Sequence, residues 1–178
     1  MKMDQNQERK EMLEVLPHIQ RFAVSLTRNR ADADDLLQNT VERILKKGIP
    51  DDADMKRWMF RVCKNIWIDE IRARRVRNNA TDSGNITLHD RPEWEREIMG
   101  RMKLKQVKDA MENLPDEQRI VLSLITIEGF SYKEAAEILE TPIGTVMSRL
   151  ARARRNLANM FTPDPSTSPY STNDAFRA

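Results

Sequence analysis

The sequence is poor in the residues that build disulfide scaffolds, metal sites and glycine-rich phosphate loops. Cys63 is the only cysteine, which excludes an intrachain disulfide. One cysteine and two histidines, His18 and His89, fall short of the four Cys or His ligands of a usual structural zinc site. With 5 glycines in 178 residues, a phosphate-cradling loop is also unexpected. From these absences we expect no bound metal and no cofactor.

Long apolar runs and familiar catalytic motifs are missing as well. No stretch approaches the roughly 20 apolar residues of a membrane-spanning helix. Residues 1–5 lack the apolar character of a signal peptide. Neither G-x-S-x-G nor H-E-x-x-H occurs. We therefore expect a cytoplasmic protein that does not insert into membranes and is not an enzyme.

Charge is abundant but almost balanced. Lys and Arg total 30 against 28 Asp and Glu, and the formal net charge is +2. Local clusters of one sign are therefore more informative than the global charge. Apolar residues recur at spacings of three and four along the chain, whereas alternating strand patterns are nearly absent. The pattern predicts an all-α protein, with Pro17 marking a kink or a later start in the first helix.

One polar stretch divides the helical pattern into two parts. Residues 78–91 contain turn-forming residues and little to bury, which predicts a flexible linker. We predict two small helical domains at 11–77 and 92–161, between an N-terminal arm at 1–10 and a disordered tail at 162–178. The predicted helices are 11–27, 33–47 and 55–77 in the first domain, and 92–113, 116–128, 131–140 and 145–161 in the second.

The last two predicted helices form a helix-turn-helix pattern. Ser131 and Glu134 make an S-x-x-E capping box that begins the first of them. Pro142 and Gly144 break the chain, and Thr145 is placed to cap the second. This second helix has no acidic residue and suits a DNA major groove; a solvated basic helix in an ordinary bundle is the alternative. Its polar and basic positions are Ser148, Arg149, Arg152, Arg154 and Arg155.

The helix predicted at 55–77 combines apolar stripes with a basic face. The stripes are typical of a buried helix. Cations beside aromatic rings suit single-stranded or melted nucleic acid, where bases stack and phosphates pair with the cations. The alternative is that the tryptophans are core residues and the arginines only keep the helix soluble. The basic positions are Arg57, Arg61, Lys64, Arg72 and Arg75; the apolar ones are Trp58, Phe60, Val62, Cys63, Ile66, Trp67 and Ile71.

An acidic and amide strip follows the start of the second predicted helix. Carboxylates near a helix N-terminus are routine, but a strip at steps of three and four also suits docking to a basic partner. A carboxylate metal site is disfavoured, because no histidine is near in sequence and the loop spacing of hard-metal sites is absent. The strip consists of Asp34, Asp35, Gln38, Asn39 and Glu42, after Asp32.

In this order, these features resemble the extracytoplasmic-function (ECF) sigma factors of bacterial RNA polymerase. The resemblance covers about residues 11–161. It is carried by residues 25–40, by residues 57–75 and by three short stretches. The short stretches are LPDEQR at 114–119, EGFSYKEAAEIL at 128–139 and TPIGTVMSRLARAR at 141–154.

For the first domain, the resemblance implies a sigma-two domain. Its strip would dock on the coiled-coil clamp helices of the polymerase β′ subunit through Asp34, Asp35, Gln38, Asn39 and Glu42. The loop 46–56 and the following helix would capture flipped bases and the melted strand of the −10 element. The helix residues implied in this contact are Arg57, Trp58, Arg61, Lys64, Asn65, Arg72 and Arg75.

For the second domain, the resemblance implies a sigma-four domain that reads the −35 element as duplex and contacts the β flap. Two positions depart from the family. Glu140 stands where members usually have glycine, and Met147 stands where a basic or polar residue is common and suits a thymine methyl group. The residues implied at the −35 element are Thr141, Pro142, Thr145, Met147, Ser148, Arg149, Arg152 and Arg155.

The implied function is that of an alternative sigma factor, which directs core RNA polymerase to promoters, helps to open the DNA and is controlled by an anti-sigma factor. Two other classes stay open. A conventional helix-turn-helix regulator would bind DNA without polymerase, usually as a dimer, and would not need the strip or the basic helix. A sigma-like decoy that titrates an anti-sigma factor is expected to lack DNA-facing cations, yet these are present.

Overall fold

The computed structural model describes residues 5–80, 109–111 and 113–161, and these ranges contain helices and turns but no strand. The all-α prediction is confirmed. None of the helices in these ranges is long and apolar enough to cross a membrane. The helices are α1 (Gln5–Thr27), α2 (Arg30–Lys47), α3 (Met55–Ala80), α4 (Asp116–Leu122, continued by a π-helical turn at Ser123–Ile127), α5 (Tyr132–Leu139) and α6 (Ile143–Phe161).

The first domain is a bundle in which α1, α2 and α3 pack against one another. Helix α1 begins at Gln5, so residues 5–10 of the predicted arm are helix, not an arm. It also runs through Pro17 without ending. Proline removes the hydrogen bond to the carbonyl four residues earlier. Here both Pro17 and Leu13 are exposed, so water can take the place of the missing donor.

Helix α2 begins and ends where its capping residues stand. The Asn29 side chain accepts a hydrogen bond from the backbone N–H of Ala31 at 2.8 Å, and the helix therefore starts at Arg30 rather than at residue 33. Gly48 ends it with φ +74°, a left-handed conformation that glycine adopts without steric cost, and its N–H bonds to the Ile44 carbonyl at 2.8 Å.

The helix-turn-helix prediction is confirmed, with one corrected boundary. Ser131 and Glu134 form the capping box, and hydrogen bonds from Ser131 lower the pKa of the Glu134 carboxyl. Helix α6 begins at Ile143, because the Pro142 carbonyl accepts the first helical bonds, from Thr145 N at 2.9 Å and Val146 N at 3.3 Å. Thr145 therefore lies in the first turn and does not cap the helix.

One apolar core runs through both domains. Phe60 of α3 lies at its centre, with its ring 5.0 Å from that of Phe22 in α1 and 4.9 Å from that of Phe130 in the loop before α5. The second domain therefore packs directly on α3. Of the predicted linker, residues 78–80 extend α3, and residues 81–91 lie outside the described residues. The helix predicted at 92–113 lies mostly outside them too, as does the tail at 162–178.

The position of Cys63 in this core gives a direct prediction. Burial raises the pKa of its thiol to about 12, although a hydrogen bond with Thr40 acts in the opposite direction. Only the thiolate is nucleophilic, so at pH 8 the native protein should react with iodoacetamide about 1000-fold more slowly than the urea-unfolded chain. Mass spectrometry of timed, quenched samples measures both rates. Comparable rates would contradict the buried position.

Candidate polymerase and nucleic-acid interfaces

The acidic and amide strip lies on the outward face of α2. The opposite face of this helix carries the buried residues Ala33, Leu36, Thr40 and Ile44. Spacing at three and four residues leaves the strip residues together on the solvent side. Their carboxylates and amides are exposed to solvent along two helical turns. The exposed strip residues are Asp34, Asp35, Gln38, Asn39 and Glu42.

The strip makes only exposed side-chain hydrogen bonds, within itself and to α1, and these do not cover it. Gln20 donates a hydrogen bond to Asp34 at 2.5 Å, and Gln38 donates to Glu42 at 3.2 Å. These are surface interactions, which are weak and readily exchanged. The described residues contain no group of three or more His, Cys, Asp and Glu side chains placed to hold a metal ion. The geometry therefore suits docking to a basic protein surface.

The basic residues of α3 are not all free in this structure. Arg57 Nη1 donates to Glu137 Oε2 at 2.6 Å, and Arg61 Nη2 donates to the Glu137 carbonyl at 2.7 Å. Lys64 Nζ donates to Glu140 Oε2 at 3.4 Å. Three residues predicted to contact the −10 strand therefore bind α5 and the turn that follows it.

Burial lowers the pKa of Lys64. Its side chain is only 5% exposed, and this desolvation lowers the pKa of the ammonium, while the Glu140 carboxylate acts in the opposite direction. Farther along α3, Arg75 Nη2 bonds to Asp116 Oδ2 of α4 at 3.3 Å. Asn65 is partly buried and Arg72 is exposed. Four of the seven predicted −10 residues thus contact the second domain.

The two tryptophans of α3 differ in burial, so the core interpretation applies to one of them and the nucleic-acid interpretation stays open for the other. Trp67 is buried in the core, as the structural alternative expected, with the Arg74 guanidinium 5.6 Å from its ring. Trp58 is only partly buried, and the Arg61 guanidinium lies 5.7 Å from its ring. Trp58 is therefore the ring that remains near the surface for base stacking.

Helix α6 has a clear inner and outer face. Val146, Leu150 and Ala153 are buried against the rest of the domain. Arg149 is partly buried, and its guanidinium forms an ion pair with the exposed Glu117 carboxylate of α4 at 2.8 Å. Thr141 and Thr145 are partly buried near the start of the helix. The exposed positions are Pro142, Met147, Ser148, Arg152 and Arg155, and Arg154 is also exposed.

The sequence did not indicate a buried acid that joins the two domains. The Glu128 side chain is fully buried, with Oε2 2.9 Å from Nδ1 of His18 and 3.1 Å from Nη2 of Arg21. A π-helical turn precedes Glu128, and its last hydrogen bond runs from the Glu128 N–H to the Ser123 carbonyl. After this turn, the Glu128 carboxylate lies towards α1. No sequence signal pairs residues that lie more than 100 positions apart.

Two family models match the chain, one in each domain. The model for the sigma2 domain of PhyR matches residues 12–64, and the model for sigma-70 region 4 matches residues 104–157. Together with the fold and the two polar surfaces, these matches define a sigma factor. The relatives identify the particular family.

Two relatives are described as ECF RNA polymerase sigma factors. The chain is 31% identical to EcfG of Rhodopseudomonas palustris, over 96% of this chain and 93% of that protein. It is 29% identical to SigM of Bacillus subtilis, over 80% of this chain and 88% of that protein. The chain belongs to the ECF sigma factors, and the family resemblance noted in its sequence is confirmed.

Two solved structures share the fold. The sigma factor RpoE of Bartonella quintana, solved with the anti-sigma factor NepR, superposes with a TM-score of 0.72 at 31% identity, covering 85% of this chain and 94% of that one. CnrH, solved with the cytosolic domain of CnrY, gives a TM-score of 0.63 at 21% identity, covering 88% of each chain. At this lower identity the second match concerns the fold alone.

Proposed function

We propose that the chain is an alternative sigma factor that binds core RNA polymerase in the cytoplasm, directs it to specific promoters and assists promoter opening. The observation that carries the proposal is the presence, on one chain, of an exposed acidic strip on α2 and an exposed cationic face on α6. A DNA regulator needs only the second of these surfaces. The protein acts by binding and has no catalytic role of its own.

The two domains divide this work. The sigma-two domain, residues 11–77, docks on the β′ clamp helices through the α2 strip and holds the melted −10 strand with the basic face of α3. The sigma-four domain, residues 92–161, contacts the β flap and places α6 in the major groove of the −35 element. Residues 78–91 connect them through the polymerase. An extended chain of the length that follows α3, from 81 to 91, would span roughly 36 Å at about 3.3 Å per residue.

Control by an anti-sigma factor is part of the proposal. The RpoE structure to which this chain is similar was solved in complex with the anti-sigma factor NepR. Its similarity extends over 85% of this chain, which includes both domains. An inhibitor that binds both domains at once would keep the polymerase and DNA surfaces from acting together.

Arg152 provides a test of the −35 assignment. Its side chain is exposed and lies one helical turn from the exposed Ser148 on α6. If it reads a base, Arg152→Ala should weaken binding of the holoenzyme to a promoter by about 1–3 kcal/mol, and base preference at one −35 position should relax. Arg154→Ala, which removes the same charge from another exposed side of the helix, is the control. An equal loss on all sequences would identify a phosphate contact instead.

In vitro transcription tests the proposed function as a whole. The purified chain is added to core RNA polymerase without sigma factor, on fragmented DNA of the source genome, and RNA 5′ ends are sequenced. We expect discrete new start sites that share two spaced upstream elements. The protein alone should bind promoter DNA poorly.

The two rival classes give different results in the same assay. Tight binding to core polymerase or to a co-purified inhibitor without any initiation would support a decoy. Footprints from the protein alone, without core binding or initiation, would support a conventional regulator. Either result would overturn the proposed function.

A further inference from the structure

Acidic residues at the C-terminal end of α5 form hydrogen bonds with basic residues of α3. We define the α5 acidic end as Glu137 and Glu140, and the α3 basic face as Arg57, Arg61 and Lys64. The Arg57 guanidinium donates a charge-assisted hydrogen bond of 2.6 Å to the Glu137 carboxylate. Guanidinium and ammonium groups bind carboxylates and phosphates with the same donors. A cation held by a carboxylate is therefore not available to a DNA phosphate.

The backbone of Glu140 has an unfavourable conformation for a residue with a side chain. The residue follows α5 with φ +54° and ψ +41°, which is a left-handed conformation. Glycine or asparagine occupies such a position with less strain than glutamate. A strained residue persists when the surrounding structure compensates for it, and this supports an inference from the strain to a role. Two kinds of contact compensate for it here: the capping bonds from Glu140 N–H and Thr141 N–H to the end of α5, and the contact of the Glu140 carboxylate with Lys64.

The burial of Lys64 makes this contact more important than a surface ion pair. Exposed pairs contribute little to stability. The Lys64 side chain, by contrast, is almost fully covered, and Glu140 is the carboxylate bonded to it. Only the lysine of this pair is buried, since the Glu140 side chain is 55% exposed; removing the carboxylate leaves the covered ammonium without the partner that offsets its desolvation. Without Glu140, the domains are expected to separate so that water can reach the ammonium.

We propose that the α5 acidic end is an intramolecular competitor of the DNA backbone, which occupies the α3 basic face until the two domains separate. The inference rests on the proposed function, since it takes α3 as the site of the melted strand. It adds a mechanism by which the free chain binds single-stranded DNA poorly even without an inhibitor. Opening then exposes Arg57, Arg61 and Lys64 together.

Substitutions in the α5 acidic end test this proposal without altering the α3 basic face. Glu140→Asn removes the carboxylate and tolerates the left-handed backbone, and Glu137→Gln removes the second one. The control is Asp109→Asn with Glu14→Gln, which removes two negative charges from exposed positions outside the α5 acidic end. The probe is a fluorescein-labelled 20-nucleotide single-stranded DNA of mixed sequence, with binding followed by anisotropy at low salt. Small-angle scattering of the full chain gives the radius of gyration.

We expect the double variant to have a larger radius of gyration and to bind the probe about tenfold more tightly, because the binding-competent fraction rises. The control double variant should change the affinity less than twofold, because its two carboxylates lie outside the contact with the α3 basic face. An unchanged radius with unchanged binding would overturn the competition and leave the proposed function intact. A larger radius without tighter binding would overturn both the competition and the assignment of α3 to the melted strand. A gain equal to that of the control would overturn the competition in favour of general electrostatics.

Discussion

Replacing Phe60 by alanine is expected to lower the free energy of unfolding by about 3–5 kcal/mol, the cost of a large cavity in a core. The side chain is fully buried and its ring contacts both Phe22 and Phe130. Aromatic pairs of this geometry contribute about 0.5–1.5 kcal/mol each beyond the burial of their area. Urea denaturation followed by circular dichroism measures the loss.

Two further variants divide this effect between the domains. Phe22→Ala removes a ring pair inside the first domain, whereas Phe130→Ala removes the pair that joins the domains. Val76→Ala, at an exposed position of the same helix as Phe60, should stay within about 0.5 kcal/mol of the parent. A loss below about 1 kcal/mol for Phe60→Ala would be inconsistent with a core that both domains share.

The second large effect is expected at the α2 strip. Reversing two of its charges, with Asp35→Lys and Glu42→Lys, should weaken binding to core RNA polymerase by several kcal/mol, roughly 100-fold or more, because it places like charges against a basic partner. Both residues are exposed, so the bundle should remain folded. Fluorescence anisotropy of the labelled chain titrated with core polymerase measures the affinity.

A matched pair in the loop after α2 controls for net charge. Asp51→Lys with Asp52→Lys makes the same charge change at exposed positions outside the strip. We expect this control to retain most of the affinity for core polymerase. Equal losses in the two double variants would show that general charge, rather than the strip, determines binding. Full binding by the strip variant would exclude α2 as the docking surface.

Local features of the sequence were sufficient to predict the helices and their outward faces. The apolar stripes of the helix predicted at 55–77 indicated its buried side, and the structure buries Phe60, Cys63 and Trp67. The capping box at Ser131 located the start of α5 within one residue. Helix periodicity relates residues three and four positions apart, which is why such faces are readable from one sequence.

Helix starts were less predictable from the sequence than helix faces. Thr145 has the side chain of a capping residue, yet the Pro142 carbonyl accepts the first bonds of α6 and the helix starts at Ile143. In α2 the Asn29 side chain supplied the cap, ahead of the start predicted from the apolar pattern. A helix start depends on which groups accept hydrogen bonds from its first N–H groups, and apolar spacing does not show this.

The sequence by itself determined the helical class, the acidic strip of α2 and the cationic face of α6, because each depends on residues close together in the chain. Only the tertiary structure decided that Lys64 meets Glu140, 76 positions away, and that Glu128 lies between His18 and Arg21, 110 and 107 positions away. Periodicity shows which side of a helix is buried but not which helix covers it. That choice depends on how the two domains pack around Phe60, and it determines which cations remain free for DNA.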